Sequence, residues 1–281
     1  MKHQVALIGA VLTVALLFVT AHSLAQQSLQ VRVDRWLQVR QVTNDVTFAH
    51  DSTRRAARVG DRLQATGDSI TTGKKSSAML FVDIGVGVIE VAEQTTLRIR
   101  TLDVAPDNGR ITRLEVPTGN VRLRVRRFTH KGSELEIQTP VGLSGVRGTM
   151  FGLAVQPNGK TGLVVSQGVV KSSAQGQAAD VVEGFQNFTL PGEAPSTPVK
   201  WSNDTSLQYE FEKVIEKSIR RVRLLGRVDP VNLVTVDGSP QVTDRNGRFK
   251  TDLRLVPSYL KIQVVITTPL GKTKTYALAL Q

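Results

Sequence analysis

The chain has 281 residues, with 36 Lys and Arg against 24 Asp and Glu, a net charge of +12 and an isoelectric point near 10.3. It holds no cysteine, which excludes disulfide staples, thiolate metal sites and an acylated lipoprotein anchor. Its 40% hydrophobic content suffices for a packed core, while 5% aromatic residues leave few stacking platforms for single-stranded nucleic acid.

Met1-Lys2-His3-Gln4 opens the chain, followed by an apolar run from Val5 to Thr20 and then Ala21-His22-Ser23-Leu24-Ala25. A basic start, an apolar middle and small residues at the −3 and −1 positions predict a signal peptide over 1–25, cleaved before Gln26. The run is also about long enough to span a bilayer, so an uncleaved inner-membrane anchor is the alternative. Either way the rest is exported to the periplasm or cell envelope, where nucleic acid is not an expected partner. The positive charge then faces anionic envelope polymers, or lipid headgroups in a peripheral association, or simply water.

From Leu29 onward, apolar and polar residues alternate as in half-buried strands. Leu29 to Val33, Trp36 to Val42 and Val46 to Phe48 read this way, followed by an arginine-rich loop over 51–58. Met79–Ile84, Val86–Val91, Thr96–Arg100, Ile111–Val116, Val121–Val125 and Leu135–Ile137 continue as strands with turn residues between them. Their spacing predicts an all-β meander, sandwich or short solenoid.

Thr139 to Gly168 is the richest segment, with glycines at 142, 145, 148, 152, 159, 162 and 168. Pro157-Asn158-Gly159 predicts a hairpin turn between Met150–Val155 and Leu163–Ser166. Thr139-Pro140-Val141-Gly142 followed by Val146-Arg147-Gly148-Thr149-Met150-Phe151 resembles the signature of FecR-type domains. Val59-Gly60-Asp61-Arg62-Leu63, Thr66 to Gly73, Ser77 to Val82, Gln167-Gly168-Val169-Val170 and Gly184-Phe185-Gln186 fit the same pattern in the family order. The resemblance runs from about Arg32 to Leu190.

Pro191 to Pro198 reads as a linker or a clasp along the domain surface. Ser202 to Thr205 offers caps, and Phe211, Val214, Ile215, Ile219 and Val222 recur at helical spacing, with acids early and bases late. This predicts one helix over 207–223. Strands return after Leu224. Asn246-Gly247-Arg248-Phe249 and the late Pro269-Leu270-Gly271-Lys272 hairpin resemble a small bacterial immunoglobulin-like domain.

The expected organisation is therefore mainly all-β: a signal peptide over 1–25, a FecR-like sandwich or short solenoid over 26–190, a linker and helix over 191–223, and an Ig-like β domain over 224–281. No residue is read as catalytic, cofactor-binding or metal-binding. Gly159-Lys160-Thr161 and Gly271-Lys272-Thr273 lack the earlier glycine of a phosphate loop and precede no helix, so both read as hairpin turns. His50 and His130 are too few for a zinc site. Asp61 and Asp68 sit in Gly-Asp turns, where carboxylates bind nearby amides. Ser144 and Ser166 have no activating motif.

Asn120 to Arg126 alternates strictly, so Val121, Leu123 and Val125 inward would put Arg122, Arg124 and Arg126 on one outer face. That row would be about 13 Å long. Arg98 and Arg100, with Arg113, are expected to extend it on adjacent strands. Such a row suits an acidic envelope protein or an anionic cell-wall or surface polysaccharide; the competing reading is a solvated face neutralised by Glu115, Glu134 and Glu136.

The expected role is a non-catalytic envelope module for protein interaction, sensing or scaffolding. The resemblance also implies a regulator linked to a TonB-dependent outer-membrane transporter and a sigma factor. Only Met1 to Gln4 precede the apolar run, which is too short for the family's cytoplasmic output domain. Oligomeric state is not read from the sequence.

Overall fold

In the computed structural model the described residues are 34–216, 218–255 and 260–280, and all of their regular structure is β. The candidate signal peptide lies outside them. No helix among them is long and apolar enough to cross a membrane.

The N-terminal part runs β1 (Leu37–Thr43), β2 (Val46–His50), β3 (Thr53–Ala56), β4 (Arg62–Leu63), β5 (Ser69–Thr72) and β6 (Ser77–Val82). It continues through β7 (Gly87–Val91), β8 (Thr96–Val104), β9 (Arg110–Val125), β10 (Glu134–Gln138), β11 (Leu143–Val146) and β12 (Met150–Val155). It closes with β13 (Thr161–Gln167), β14 (Val169–Ala174), β15 (Gln177–Val182), β16 (Phe185–Thr189) and β17 (Val199–Lys200). The pairings build two sheets. One has the order β4-β1-β6-β7-β9-β12-β13-β16-β17. The other has the order β3-β2-β5-β8-β9-β10-β11-β14-β15. Alternating apolar residues from both sheets meet in one core that includes Leu37, Ile70, Leu80, Leu97, Leu123, Ile137 and Phe151.

β9 belongs to both layers. Its first half pairs with β8 and β10, its second half with β7 and β12. The change of layer falls at Gly119, where φ is +100° and a Cβ would stand 2.5 Å from the Cα of Thr95. Only glycine fits that corner. β10 then lies parallel to the first half of β9, so the chain completes one solenoid-like coil before antiparallel growth resumes. The expected mainly-β fold is thus met, as two sheets packed on one core.

The segment after Pro191 is a clasp. Ser196 donates its amide to the Phe188 carbonyl, and β17 adds to the edge of β16. The expected helix over 207–223 does not form. Its described residues instead belong to β18 (Gln208–Glu216) and β19 (Ile219–Arg227), paired from Gln208↔Arg227 to Glu216↔Ile219. The β-branched Val214, Ile215, Ile219 and Val222 favour extended chain, and Ser218 turns it with φ +61°. Glu212 and Arg223, an early acid and a late base, form a cross-strand ion pair. Of the expected caps, Asp204 accepts from the amide and hydroxyl of Ser206 and so closes a local turn.

β20 (Leu233–Val236), β21 (Ser239–Gln241), β22 (Arg248–Lys250), β23 (Arg254–Leu255), β24 (Leu260–Thr267) and β25 (Thr273–Leu280) complete the chain. β18, β19, β22 and β23 form one sheet, and β21-β20-β24-β25 another. Leu224, Val228, Val234, Phe249, Val264 and Ile266 fill the core between them. Both sandwiches fall within a single compact unit over Arg35–Gln281.

Candidate functional site

Val121, Leu123 and Val125 are buried in the core, so Arg122, Arg124 and Arg126 point outward from the sheet as the alternation requires. Their surroundings then diverge. Arg122 is held by Glu90 at 2.6 Å and reaches the Leu270 carbonyl of the second sandwich at 3.4 Å. Arg124 and Arg126 are exposed and have no acidic partner among the described residues.

Arg98 and Arg100 do not extend the row. Both lie on β8 in the opposite sheet, where they share Glu115 at 3.3 and 3.7 Å. Arg113 is likewise divided between Glu134 and Glu136, at 2.8 and 2.9 Å. The physical reason is the corner at Gly119, which carries the two halves of β9 onto different layers. The neutralised-face reading therefore describes Arg98, Arg100 and Arg113. It does not describe Arg124 and Arg126.

These two arginines instead join Arg127 and Arg147 around a groove of about 850 Å³ at the loop end of the sandwich. The β6–β7 turn and the exposed Val169 supply apolar lining, and Glu183 is the acid at its rim. Gly148, φ +103°, makes the convergence feasible: a Cβ there would stand 2.3 Å from the Cα of Arg127. The glycine of Val146-Arg147-Gly148-Thr149 thus lets the chain leaving β9 pass directly over it. Arg147 donates to the Lys131 carbonyl at 3.3 Å, so it braces the neighbouring turn as well as lining the groove. Sequence reasoning singled out neither Arg127 nor Arg147 for this surface; the Arg126-Arg127 doublet beside the alternating row was the available signal. Guanidinium groups without intramolecular acids present forked donors suited to carboxylate, phosphate or sulfate.

A buried ion cluster positions the groove floor. Asp83, in the β6–β7 turn, accepts from Arg35 at 2.8 Å and Arg110 at 3.2 Å, and Arg35 also donates to Thr112 at 2.7 Å. Asp68 is buried, accepts from the amides of Gln64 and Ala65, and meets His50 Nδ1 at 2.6 Å. That contact raises the His50 pKa, chiefly through the hydrogen bond. Asp61 accepts from the Arg58 amide in the same turn-forming way. No group of three or more His, Cys, Asp or Glu side chains among the described residues is placed to hold a metal ion.

The outer face of β12 and β13 meets the second sandwich. A Cβ on Gly152 would lie 2.1 Å from the Pro269 carbonyl oxygen, and one on Gly162 would lie 2.3 Å from that of Val231. Both glycines are needed for backbone to approach backbone. Gln156 exchanges hydrogen bonds with Thr243: its amide donates to the hydroxyl at 2.9 Å and its oxygen accepts from the Thr243 N–H at 2.8 Å. Lys160, on the β12–β13 turn, is fully buried and donates to Thr243 Oγ1 at 2.8 Å and the Asp244 carbonyl at 2.6 Å. Burial pushes its pKa down to about 8, against the opposing pull of Asp244 and Asp229. The glycine-rich segment therefore joins two structures: its strands carry the second sandwich, and its preceding loop lines the arginine groove.

The family described as FecR protein matches residues 68–171. Two crystal structures of a proposed anti-sigma factor from Parabacteroides distasonis ATCC 8503, at 1.65 and 2.50 Å resolution, align with 17% identity and TM-score 0.38. Each alignment covers 48% of this chain and 60% of the other, so the chain spans less than two thirds of those structures. A search of curated proteins gave no match. The matched region contains β9, the Gly148 crossing and most of the groove, and it identifies the chain as one that carries a FecR domain.

Proposed function

We propose that this chain is an exported, non-catalytic module of the bacterial envelope whose FecR domain docks an anionic segment of a partner protein in the arginine groove, as part of a sensing or scaffolding assembly. The observation that carries this reading is the convergence of Arg124, Arg126 and Arg127, none with an acidic partner among the described residues, on a cleft that Arg147 also lines. Elsewhere on the same domain, Arg98, Arg100 and Arg113 have their acids. The groove's mixed lining suits a polypeptide, which offers apolar side chains between its carboxylates.

A second reading, an anionic polysaccharide of the wall or surface, is favoured by one observation. Arg124 and Arg126 repeat at strand spacing, roughly 6.6 Å, and could follow regularly placed charges. A photo-crosslinking amino acid at Val169, introduced in cells, separates the two. A discrete protein adduct that disappears in Arg124→Ser/Arg126→Ser/Arg127→Ser supports docking of a protein. Adducts only to wall material support the polymer, and adducts indifferent to the arginines contradict both.

A further inference from the structure

Three of the four sheet ends of the first sandwich are blunted. β4 and β17 are two residues long, and β3 carries the exposed Arg54 and Arg55. β15 is the fourth end. It runs six residues, Gln177–Val182, without proline, base or register shift, and pairs only with β14 among the described residues. The hairpin turn fixes which of its groups are free. The two-residue loop has Gln175 at φ +51° and Gly176 at φ +71°, so Ala174↔Gln177 closes it as a hydrogen-bonded pair. Ser172↔Ala179 and Val170↔Val181 follow at period two. The amides and carbonyls of Ala178, Asp180 and Val182 therefore point away from β14, into the open edge. Their side chains stand on the exposed face, opposite the buried Val181. At the end of the strand, Val182 lies across from Val169, 42% and 47% exposed. Val169 and Glu183 line the arginine groove, so this edge leads into it.

We infer that β15 accepts an added strand from the partner protein. An extended segment pairs its backbone with Ala178, Asp180 and Val182, covers the Val169–Val182 pair with an apolar side chain, and continues as carboxylates into the groove. Main-chain hydrogen bonds give such a contact affinity, and the arginines select the acidic continuation. That continuation rests on the docking role proposed for the groove, whereas the strand addition stands on the edge itself. A second copy is a poor occupant, because self-pairing centred on Asp180 would set two carboxylates opposite each other.

The full chain is titrated with a synthetic peptide of alternating Thr and Val that ends in a short Glu run, and amide hydrogen exchange is followed by NMR. Exchange at Ala178, Asp180 and Val182 should slow by about tenfold or more. Asp180→Pro removes one outward N–H and no β14–β15 hydrogen bond, so it should keep the fold and weaken peptide binding by about tenfold. Asp180→Asn keeps that N–H and should bind within about twofold of wild type. The same peptide N-methylated along one edge leaves the protein unaltered and should give no protection. Binding of poly-glutamate to the groove should stay within about twofold in Asp180→Pro, so failure of the edge is separate from failure of the groove. A peptide that fails to bind, or that binds without slowing exchange at these amides, overturns the inference. So does wild-type binding by Asp180→Pro, or equal protection by the N-methylated peptide. Protection that rises with protein concentration in the absence of peptide also overturns it, and would mark pairing between copies.

Discussion

The Lys160 ammonium donates to the main-chain oxygen of Asp244 over 2.6 Å, across the boundary between the two sandwiches. Thr243 Oγ1 takes a second hydrogen bond at 2.8 Å, and the Phe188 ring lies 5.0 Å away. A buried lysine is tolerated only where donors are satisfied and charge is partly compensated. The β12–β13 turn is thus shaped by what it enters. It is a plug, and the second sandwich is its socket.

This plug gives stability a defined pH dependence. The folded-state pKa of Lys160, about 8, lies below the value near 10.4 expected in the unfolded chain. Between those values the unfolded chain binds more protons, so this group adds stability as pH rises and none of that gain is present below pH 8. The difference in unfolding free energy between wild type and Lys160→Met should grow in favour of wild type by about 1.5 kcal/mol from pH 8 to 9.5. Urea titrations at the two pH values check it.

The seam also depends on absent side chains. Gly162→Val must displace the Val231 backbone, because even a Cβ would stand 2.3 Å from its carbonyl oxygen. We expect a loss of about 2–3 kcal/mol, with the second sandwich detached while the first keeps its core. Differential scanning calorimetry should show two transitions in the variant. Limited proteolysis should show cleavage within residues 191–207.

Asp83 holds Arg35 and Arg110 together in the interior. Asp83→Ala leaves the buried Arg35 guanidinium without its anion and should cost about 3–5 kcal/mol in urea unfolding. Because Asp83 begins the turn that floors the groove, this variant should also weaken ligand binding there. By contrast, Arg124→Ser/Arg126→Ser/Arg127→Ser removes exposed side chains without acidic partners and should change stability by less than about 0.5 kcal/mol.

Much of the first sandwich was legible from alternation. Val121, Leu123 and Val125 lie inward and their arginines outward because the residue period and the strand period coincide. The sheet to which each half of β9 belongs was not legible. A period of two fixes the face but not the layer, so Arg98 and Arg100 were expected beside Arg124 and are found across the sandwich. The 207–223 region failed differently. The turn at Ser218 shifts the phase of alternation, and Phe211, Val214, Ile215, Ile219 and Val222 then imitate a helical stripe. Beyond the turn, Val222, Leu224 and Val228 lie inward at period two and give the true signal. Lys160 could not be foreseen as buried, since the socket is more than 80 residues away in sequence.

The arginine groove carries the proposed role, and one comparison tests it directly. Purified protein is titrated with poly-glutamate, a carboxylate polypeptide, at low and moderate salt. Two triple variants lose the same charge from different places: Arg124→Ser/Arg126→Ser/Arg127→Ser from the groove, and Arg98→Ser/Arg100→Ser/Arg113→Ser from the ion-paired face. The groove variant should bind about tenfold more weakly at low salt, with the wild-type salt dependence largely lost, while the other stays within about twofold of wild type. Equal weakening in both variants would mean that net charge alone attracts the anion, and would contradict a built site at the groove.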